Sequence, residues 1–342
     1  MKIIFLSVIF SMVLFSACTQ RLSPEKIKAE VLASEFIYEE ASFPSCHAST
    51  IIETENGLLA SWFGGTHEKH PDVCIYTSEK TLEQWSAPAL VADGIMNDTL
   101  RHPCWNPVLF KKDNGDVVLY YKVGPNPREW WGLYKISTDD GKSWSESILI
   151  PDHLLGPIKN KPEQLKDGTI LYPTSYETPE KWAIYVETSD QNLDNWEKTE
   201  IDNNGFNAIQ PTVLFHKGGR IQLLCRSKEK KIVETWSDNQ GKTWTPLTAT
   251  SLPNNNSGID AVTLDNGLHL LICNPIEKGR NKLSVLASAD GKNWSTLIIL
   301  EDQPKGEFSY PAIIQGKDGT IHITYTYNRE KIKYVHLAIQ KK

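Results

Sequence analysis

Apolar and polar residues alternate through six short units of the chain, and each unit reads as two strands joined by a tight turn. In every unit the turn ends in a glycine that follows Asn, Asp or Gly, a pair that tolerates the positive φ of a type I′ hairpin. The six turn glycines are Gly57, Gly115, Gly168, Gly219, Gly267 and Gly319. Successive turn glycines are separated by 58, 53, 51, 48 and 52 residues. This spacing predicts a structural repeat of about fifty residues.

A tryptophan follows each of the first five turn glycines at a nearly constant distance. Trp85, Trp144, Trp196, Trp244 and Trp294 lie 28, 29, 28, 25 and 27 residues after them. The best copy of the surrounding motif, residues 137–144, reads Ser-Thr-Asp-Asp-Gly-Lys-Ser-Trp, and residues 237–244 differ mainly by Asn239 in place of Asp. We expect the polar side chains of these motifs to bond within their own turns, and the tryptophans to pack between sheets.

Units of about fifty residues with four short strands are typical of the blades of a β-propeller. We therefore predict an all-β fold over residues 35–342, a six-bladed propeller of four-stranded antiparallel blades. The last unit lacks a fourth strand, and a strand-like segment, Glu35–Glu40, precedes the first hairpin. We predict that this segment completes the last blade, since closing the ring removes two open sheet edges.

The first residues are typical of an exported bacterial protein. Lys2 is followed by an apolar run, Ile3–Phe15, that is too short to span a bilayer comfortably, and then by Ser-Ala-Cys at residues 16–18. We predict a signal peptide over residues 1–18, lipidation of Cys18, and a polar tether over residues 19–34. The expected location is the cell envelope, with the lipid as the only contact to a membrane.

Composition narrows the possible partners. The net charge of -6 over 342 residues provides no general basic surface for nucleic acid, so we expect none as a partner. Apart from Cys18 there are five cysteines, and an odd number argues against a complete disulfide framework. His67 and His70 flank Glu68 without the spacing of a zinc site, so we predict no metal and no cofactor. We expect a monomer.

Candidate chemistry collects on one face of the predicted disc. Strands within a blade are antiparallel, so the loops that enter first strands and those that leave second strands share a face, where function concentrates. The residues of these loops that we select are His47, Trp62, Glu68, Asp72, Trp105, Asn106, Lys159, Lys161, Gln210, Arg226, Asp260, Arg280, Glu307, Tyr310 and Arg329.

These repeats and motifs resemble the sialidase (neuraminidase) superfamily, in the branch of predicted neuraminidases with Asp-box repeats, over roughly residues 35–340. The resemblance implies a sialidase-like propeller and a retaining exo-glycosidase. Such an enzyme has a Tyr nucleophile activated by Glu, an Asp acid/base and three Arg residues that grip the substrate carboxylate. By position, Tyr310 resembles the nucleophile and Arg226 one of the arginines. Asp72 resembles the acid, with Glu68 as its rival.

Two positions depart from the family pattern. Residues 42–44 read Ser-Phe-Pro where the family has Arg-Ile-Pro, and Gln210 stands where the family has Glu. A glutamine cannot act as a general base, so Tyr310 would need another partner, for which Glu307 and Glu163 are candidates. The departures argue against a true sialidase. An acidic sugar remains the expected substrate, because its carboxylate can be neutralised by Lys159, Lys161, Arg226, Arg280 and Arg329.

Three functions fit these observations. The leading one is an exo-acting glycoside hydrolase that removes a terminal, acidic sugar from glycans. A second is a polysaccharide lyase, in which His47 and Tyr310 would abstract the C5 proton of a uronic acid. A third is a non-catalytic propeller that binds glycans at the cell surface, with sugars stacked on Trp62, Trp105, Trp130 and Trp131.

Overall fold

The computed structural model of the protein describes residues 23–81 and 84–342. Its strands form six sheets, and two one-turn 3₁₀ helices lie at Pro24–Lys26 and Lys217–Gly219. The predicted signal peptide and the lipidation site Cys18 lie outside the described residues, so both stay predictions.

The strands follow the chain blade by blade. β1 (Ile27–Phe36) comes first and belongs to the last blade. Blade 1 contains β2 (Ser45–Glu53), β3 (Leu58–Gly65), β4 (Cys74–Thr81), β5 (Gln84–Trp85) and β6 (Ala89–Ala92). Blade 2 contains β7 (Cys104–Lys111), β8 (Val117–Val123), β9 (Trp131–Ser137) and β10 (Ile148–Leu149). Blade 3 contains β11 (Glu163–Gln164), β12 (Ile170–Glu177), β13 (Trp182–Ser189) and β14 (Glu197–Glu200).

The second half of the chain repeats this order. Blade 4 contains β15 (Ala208–Phe215), β16 (Ile221–Ser227), β17 (Lys231–Ser237) and β18 (Thr248–Pro253). Blade 5 contains β19 (Asp260–Thr263), β20 (His269–Cys273), β21 (Lys282–Ser288) and β22 (Ser295–Asp302). Blade 6 contains β23 (Phe308–Gln315), β24 (Ile321–Tyr327) and β25 (Lys331–Lys341), with β1 on its outer edge.

The six sheets close into a ring. Within each sheet neighbouring strands are antiparallel, and β2 of the first blade contacts both β7 of the second blade and β23 of the last. In blade 1 the outer position is shared by β5 and β6, which both pair with β4. The predicted six-bladed β-propeller of four-stranded antiparallel blades is confirmed.

The N-terminal strand completes the last blade as expected, but it begins earlier. β1 pairs with β25 from Ile27, opposite Lys341, to Phe36, opposite Lys333. The predicted strand, 35–40, was therefore placed too late, and residues 27–34 of the predicted tether belong to the propeller. Most side chains of β1 are exposed or half-buried, because it is an outer edge strand. Its sequence consequently lacks the clean alternation that marks a strand.

The Asp-box motifs are structural, as predicted. Ser137 Oγ donates to Asp139 Oδ1 (2.7 Å) and accepts from the Gly141 amide (2.8 Å), which closes the turn on itself. The hydroxyl and amide of Ser143 bond the Asp139 carboxylate and lower its pKa to about 2. Gly141 has φ +93°, and a Cβ there would come within 2.6 Å of Leu59 in the preceding blade. Only glycine therefore allows this close contact between blades.

One buried carboxylate joins four blades at the centre. Asp260 of blade 5 accepts bonds from Lys161 Nζ of the segment entering blade 3 (3.0 and 3.1 Å) and from Thr212 Oγ1 of blade 4 (2.8 Å). It also accepts from the backbone amide of Ile313 in blade 6 (2.9 Å). Because Asp260 is only 2% exposed, these bonds are largely screened from water. The expected substrate-binding roles of Asp260 and Lys161 are therefore wrong, since each charge is taken up by the other.

The five cysteines of the described residues are all buried, and none forms a disulfide: Cys46, Cys74, Cys104, Cys225 and Cys273. Burial raises the pKa of the thiols of Cys225 and Cys273, which makes them unreactive. Within the described part of the chain, no helix has the length and apolar character needed to cross a membrane.

A buried histidine, His322, makes the stability of blade 6 sensitive to acid. His322 stacks on His336 (4.6 Å between ring centres), and burial, followed by this neighbour, lowers its pKa to about 4. The unfolded chain binds a proton near pH 6.5, so acid favours unfolding between these two values. We expect the free energy of unfolding to fall by about 3 kcal/mol as pH decreases from about 7 to 4.

Urea unfolding at several pH values measures this effect. The His322→Gln variant should lose part of the pH dependence, because one titrating imidazole is gone while the buried His47 still contributes. A variant with the same acid sensitivity as the wild-type protein would contradict the assignment to His322.

Candidate functional site

Each blade has an equivalent position near the start of its inner strand, nine residues before the turn glycine; in blades 3 and 5 it lies just before the strand. These six positions are Ala48 (before Gly57), Asn106 (Gly115), Lys159 (Gly168), Gln210 (Gly219), Gly258 (Gly267) and Tyr310 (Gly319). Ala48, Asn106, Gln210 and Tyr310 have positive φ values of 58°, 38°, 56° and 51°, and the strand register shifts at each of them. Such bulges re-aim a side chain out of the sheet.

Several of these side chains meet at the centre of the ring. The Gln210 amide of blade 4 lies 3.2 Å from the Tyr310 hydroxyl of blade 6. A Cβ placed on Gly258 would be 3.2 Å from the Tyr310 ring and 3.5 Å from Lys159 Cε. The absence of a side chain at Gly258 thus leaves room for the tyrosine and the lysine beside each other.

Two groups donate hydrogen bonds to the Tyr310 phenolic oxygen. Arg226 Nη1 lies 2.9 Å from it, and Gln210 Nε2 lies 3.2 Å from it. The Gln210 Oε1 atom accepts from the same Arg226 nitrogen (3.2 Å), which fixes the orientation of the amide. Gln210 is therefore a donor to Tyr310, and both neighbours would stabilise negative charge on the phenolic oxygen.

Two more arginines lie beside this pair and share a carboxylate. Glu307 Oε1 accepts from Arg280 Nη1 (2.8 Å) and from Arg329 Nε (2.6 Å). Burial raises the pKa of Glu307, but the two guanidinium groups outweigh it and hold the pKa below its usual value. The guanidinium carbons of Arg226 and Arg280 lie 5.7 and 5.9 Å from the centre of the Tyr310 ring. Glu307 is thus engaged in positioning arginines, which makes it a poor base for Tyr310.

His47 packs directly on Tyr310, with ring centres 4.0 Å apart. Burial lowers its pKa well below the usual value, and the charges of Arg329, Arg280 and Arg226 lower it further. The imidazole is therefore neutral at pH 7. Its Nδ1 atom bonds Thr326 Oγ1 (3.0 Å), whereas Nε2 is buried and has no hydrogen-bond partner among the described residues.

Comparison with known proteins places the chain in a family. A family model described as a BNR repeat-like domain matches residues 56–323. The chain belongs to the BNR repeat-like domain family. A comparison with curated protein sequences finds no match.

Several solved structures share this fold at low sequence identity. A protein of unknown function from Dyadobacter fermentans is 15% identical with a TM-score of 0.76, over 92% of this chain and 100% of that one. The NanB sialidase of Streptococcus pneumoniae, as a K499G mutant, is 13% identical with a TM-score of 0.72, over 89% of this chain and 70% of that one. The intramolecular trans-sialidase of Ruminococcus gnavus is 14% identical with a TM-score of 0.68, over 89% and 97%. At these identities the similarity establishes the sialidase-like fold alone.

The two predicted acids of this BNR repeat-like protein differ in their surroundings. Asp72 accepts from the backbone amide and hydroxyl of Thr66 (3.0 and 2.6 Å) and pairs with His70 (2.7 Å). Burial raises the pKa of Asp72, but these bonds together lower it below the usual value. Glu68 instead accepts from Arg329 Nη1 (2.7 Å). This bond places Glu68 beside the three central arginines, Arg226, Arg280 and Arg329, called the arginine group below.

A third carboxyl group, Glu177, escaped the sequence-based selection. It ends β12, and burial raises its pKa, while the positive charges of Arg226, Lys228 and Arg128 partly oppose this effect. The negative charge of Glu68 raises the pKa of Glu177 further. Its place at the end of a second strand, on the same face as Arg226, was the available signal. The structure therefore adds a carboxyl group that holds its proton more readily than an ordinary glutamate.

Three predicted binding residues are buried. Trp62 is 0% exposed and stacks on Tyr38, and Trp105 is 1% exposed with its Nε1 donating to the Gly124 carbonyl (2.8 Å). The expectation that these two indoles stack on sugars is wrong, because neither face is open. Lys159 Nζ donates to Asn160 Oδ1 (2.8 Å) and to the carbonyls of residues 259 and 311, so it supports the centre from within. Burial lowers the pKa of Lys159 to about 7.

Proposed function

We propose that this protein is an exo-acting glycoside hydrolase that removes a terminal acidic sugar from glycans. The observation that carries the proposal is Tyr310, held at the centre of the ring with Arg226 and Gln210 donating to its phenolic oxygen. A tyrosine in this setting suits attack on an anomeric carbon, because the two donors stabilise the developing phenolate.

The arginines support an acidic substrate. The hydrogen-bond partners of Arg226 are neutral: Asn256, Gln210 and Tyr310. No described carboxylate pairs with its guanidinium, whereas Arg280 and Arg329 already share Glu307. Arg226 is buried and these partners engage four of its five N–H groups, so it offers a sugar carboxylate its charge and the one remaining N–H on Nη2. The backbone carbonyl of Arg329 in blade 6 accepts from the Cys46 amide (2.8 Å), which holds this residue beside β2.

Hydrolysis would proceed in two steps. In the first step Tyr310 Oη attacks the anomeric carbon while a carboxylic acid gives its proton to the leaving oxygen. In the second step water attacks the same carbon and releases the sugar from Tyr310. Of the three carboxyl groups, Glu177 suits the acid best, because burial keeps it protonated at higher pH. Asp72 is held ionised by its own loop, and Glu68 is paired with Arg329.

The phenolic proton needs an acceptor that Gln210 does not offer. His47 is neutral and packs against Tyr310, and its Nε2 has no hydrogen-bond partner among the described residues. Since the two groups do not bond each other in this structure, we propose that His47 takes the proton once bound substrate brings Nε2 within hydrogen-bond reach of the phenol.

Arg226→Lys should weaken activity on acidic sugars by about 100-fold in kcat/KM, because a single ammonium group cannot bond Asn256, Gln210 and Tyr310 in the fixed geometry of the guanidinium. Steady-state kinetics measure this effect. Arg220→Lys is the matched control, since Arg220 lies just before β16 and pairs with Asp238. An Arg226→Lys variant as active as the control would contradict the assignment.

The proposal is tested by incubating the protein with glycans that end in different neutral and acidic sugars, followed by mass spectrometry of the products. We expect one acidic monosaccharide to be released intact. Failure to release any monosaccharide from the panel would reject hydrolysis, and binding without turnover would favour the surface glycan-binding function.

A lyase is the second candidate, favoured by the contact between His47 and Tyr310. A Tyr and His pair can remove the C5 proton of a uronic acid, with Arg226 neutralising its carboxylate. The leaving sugar would then depart by elimination, leaving a carbon–carbon double bond in the product. Ultraviolet absorbance of this unsaturated acid separates the two reactions, because hydrolysis produces none.

A further inference from the structure

A groove of about 780 Å³ lies between blades 2 and 3, on the same face as the arginines. One wall is formed by the loop after β8, the opposite wall by the β12–β13 hairpin and the floor by residues 149–155. The side chains that define it are Arg128, Trp130, Leu149, Tyr176, Glu177 and Tyr185. Its volume lies within the range of roughly 300–1,000 Å³ that is usual for small-molecule sites.

The floor of the groove is held rigid from below. Glu187 is buried, and its carboxylate accepts from the backbone amides of Leu155 (2.9 Å) and Gly156 (2.6 Å). Burial raises the pKa of Glu187, and the nearby Lys122 lowers it in part. Lys122 Nζ itself donates to the Pro157 carbonyl (2.8 Å). Two buried polar side chains, Glu187 and Lys122, therefore fasten the segment that forms the floor through its backbone, which pre-organises the groove for a ligand.

The lining combines open apolar faces with few charges. Leu149 is 64% exposed and Met96 is 48% exposed, although both are large and apolar. Tyr176 is half-buried and lies 5.9 Å from the buried Tyr185 ring, which the Lys198 ammonium covers at 4.0 Å from the ring centre. The exposed part of the Tyr176 ring, with polar groups at its edge, matches the apolar faces and hydroxyl edges of uncharged sugars.

The groove leads into the candidate site through Glu177. This residue lines the groove, and its pKa responds to the charges of Arg226 and Glu68. One carboxyl group therefore stands between the arginine group and the aromatic groove. In the proposed reaction the proton donor lies between the acidic sugar and the part of the glycan that leaves.

We propose that this groove binds the neutral sugar units on the leaving side of the scissile bond. The inference rests on the proposed function for the identity of its ligand, because an acidic sugar at Arg226 places the rest of the glycan beyond Glu177. The groove thereby sets a preference for glycans whose penultimate sugars are uncharged.

Binding of a neutral disaccharide tests the groove without any catalysis. The probes are lactose and cellobiose, titrated with the whole protein and followed by saturation-transfer NMR and tryptophan fluorescence. We expect at least one to bind with a dissociation constant on the order of millimolar. Tyr176→Ala should weaken this binding by about 10-fold, because a sugar face loses its aromatic partner.

A second variant guards against loss of folding. Leu149→Glu changes a side chain that is 64% exposed, and Ile299→Glu, at a site 46% exposed on blade 5, is its matched control. We expect binding to be lost with Leu149→Glu and kept with Ile299→Glu. The proposal is overturned if neither disaccharide binds, or if both groove variants bind as the wild type does. Disaccharide binding together with a glycan panel that stays intact would reject the hydrolase and keep the groove.

Discussion

Tyr310→Phe should abolish sugar release, with a loss of on the order of 10³-fold or more in kcat. The substitution removes one oxygen atom, which both Arg226 and Gln210 contact, and leaves the ring packed on His47. Without that oxygen there is neither a nucleophile nor a place for the developing charge. Kinetics on the substrate found by the glycan panel measure the effect.

Tyr327→Phe is the matched control for this substitution. Tyr327 lies in the same blade, and its hydroxyl accepts only a long bond from Gln303 (3.4 Å) among the bonds described. We expect near wild-type activity from the control and an unchanged unfolding midpoint from both variants. Substantial activity in Tyr310→Phe would remove Tyr310 from the chemistry.

Asp260→Ala should lower the free energy of unfolding by about 3–5 kcal/mol, the cost of leaving one buried charge without its partner. Lys161 would lose its carboxylate, and Thr212 and the Ile313 amide would lose their acceptor. Because these donors come from three different blades, the loss weakens the ring as a whole. Denaturant unfolding at neutral pH measures the difference.

Asp265→Ala is the control for this loss, since Asp265 is an exposed carboxylate on the same blade. It should change the free energy of unfolding by less than about 0.5 kcal/mol. If Asp260→Ala were as stable as this control but failed to bind substrate, the original substrate-binding role of Asp260 would return.

The fold was predictable because it repeats. Hairpin glycines and Asp-box turns obey local rules of backbone conformation, so each of the six units carried its own evidence. The bounds of β1 could not be predicted in this way. β1 lies on the outer edge of the last blade, so buried and exposed side chains alternate only weakly along it. Its partner strand also lies more than 300 residues away in the sequence, with Ile27 opposite Lys341.

The site was predictable in its face and only partly in its members. Topology placed Tyr310, Arg226 and Gln210 on one side, and the structure brings them into direct contact. How deeply each side chain is buried could not be predicted from the sequence. Trp62 and Asp260 belong to the same face in sequence terms, yet both are buried. The raised pKa of a carboxyl group such as Glu177 arises from burial by distant segments, which no local pattern reveals.

Trapping the covalent intermediate tests whether Tyr310 attacks the anomeric carbon of an acidic sugar. A fluorinated, activated analogue of the released sugar slows breakdown of the glycosyl-enzyme, so that mass spectrometry can locate the adduct by peptide mapping. We expect one sugar on the peptide that contains Tyr310 and none on the Tyr310→Phe variant. An adduct on another side chain, or a first-formed sugar of inverted configuration without any adduct, would contradict it.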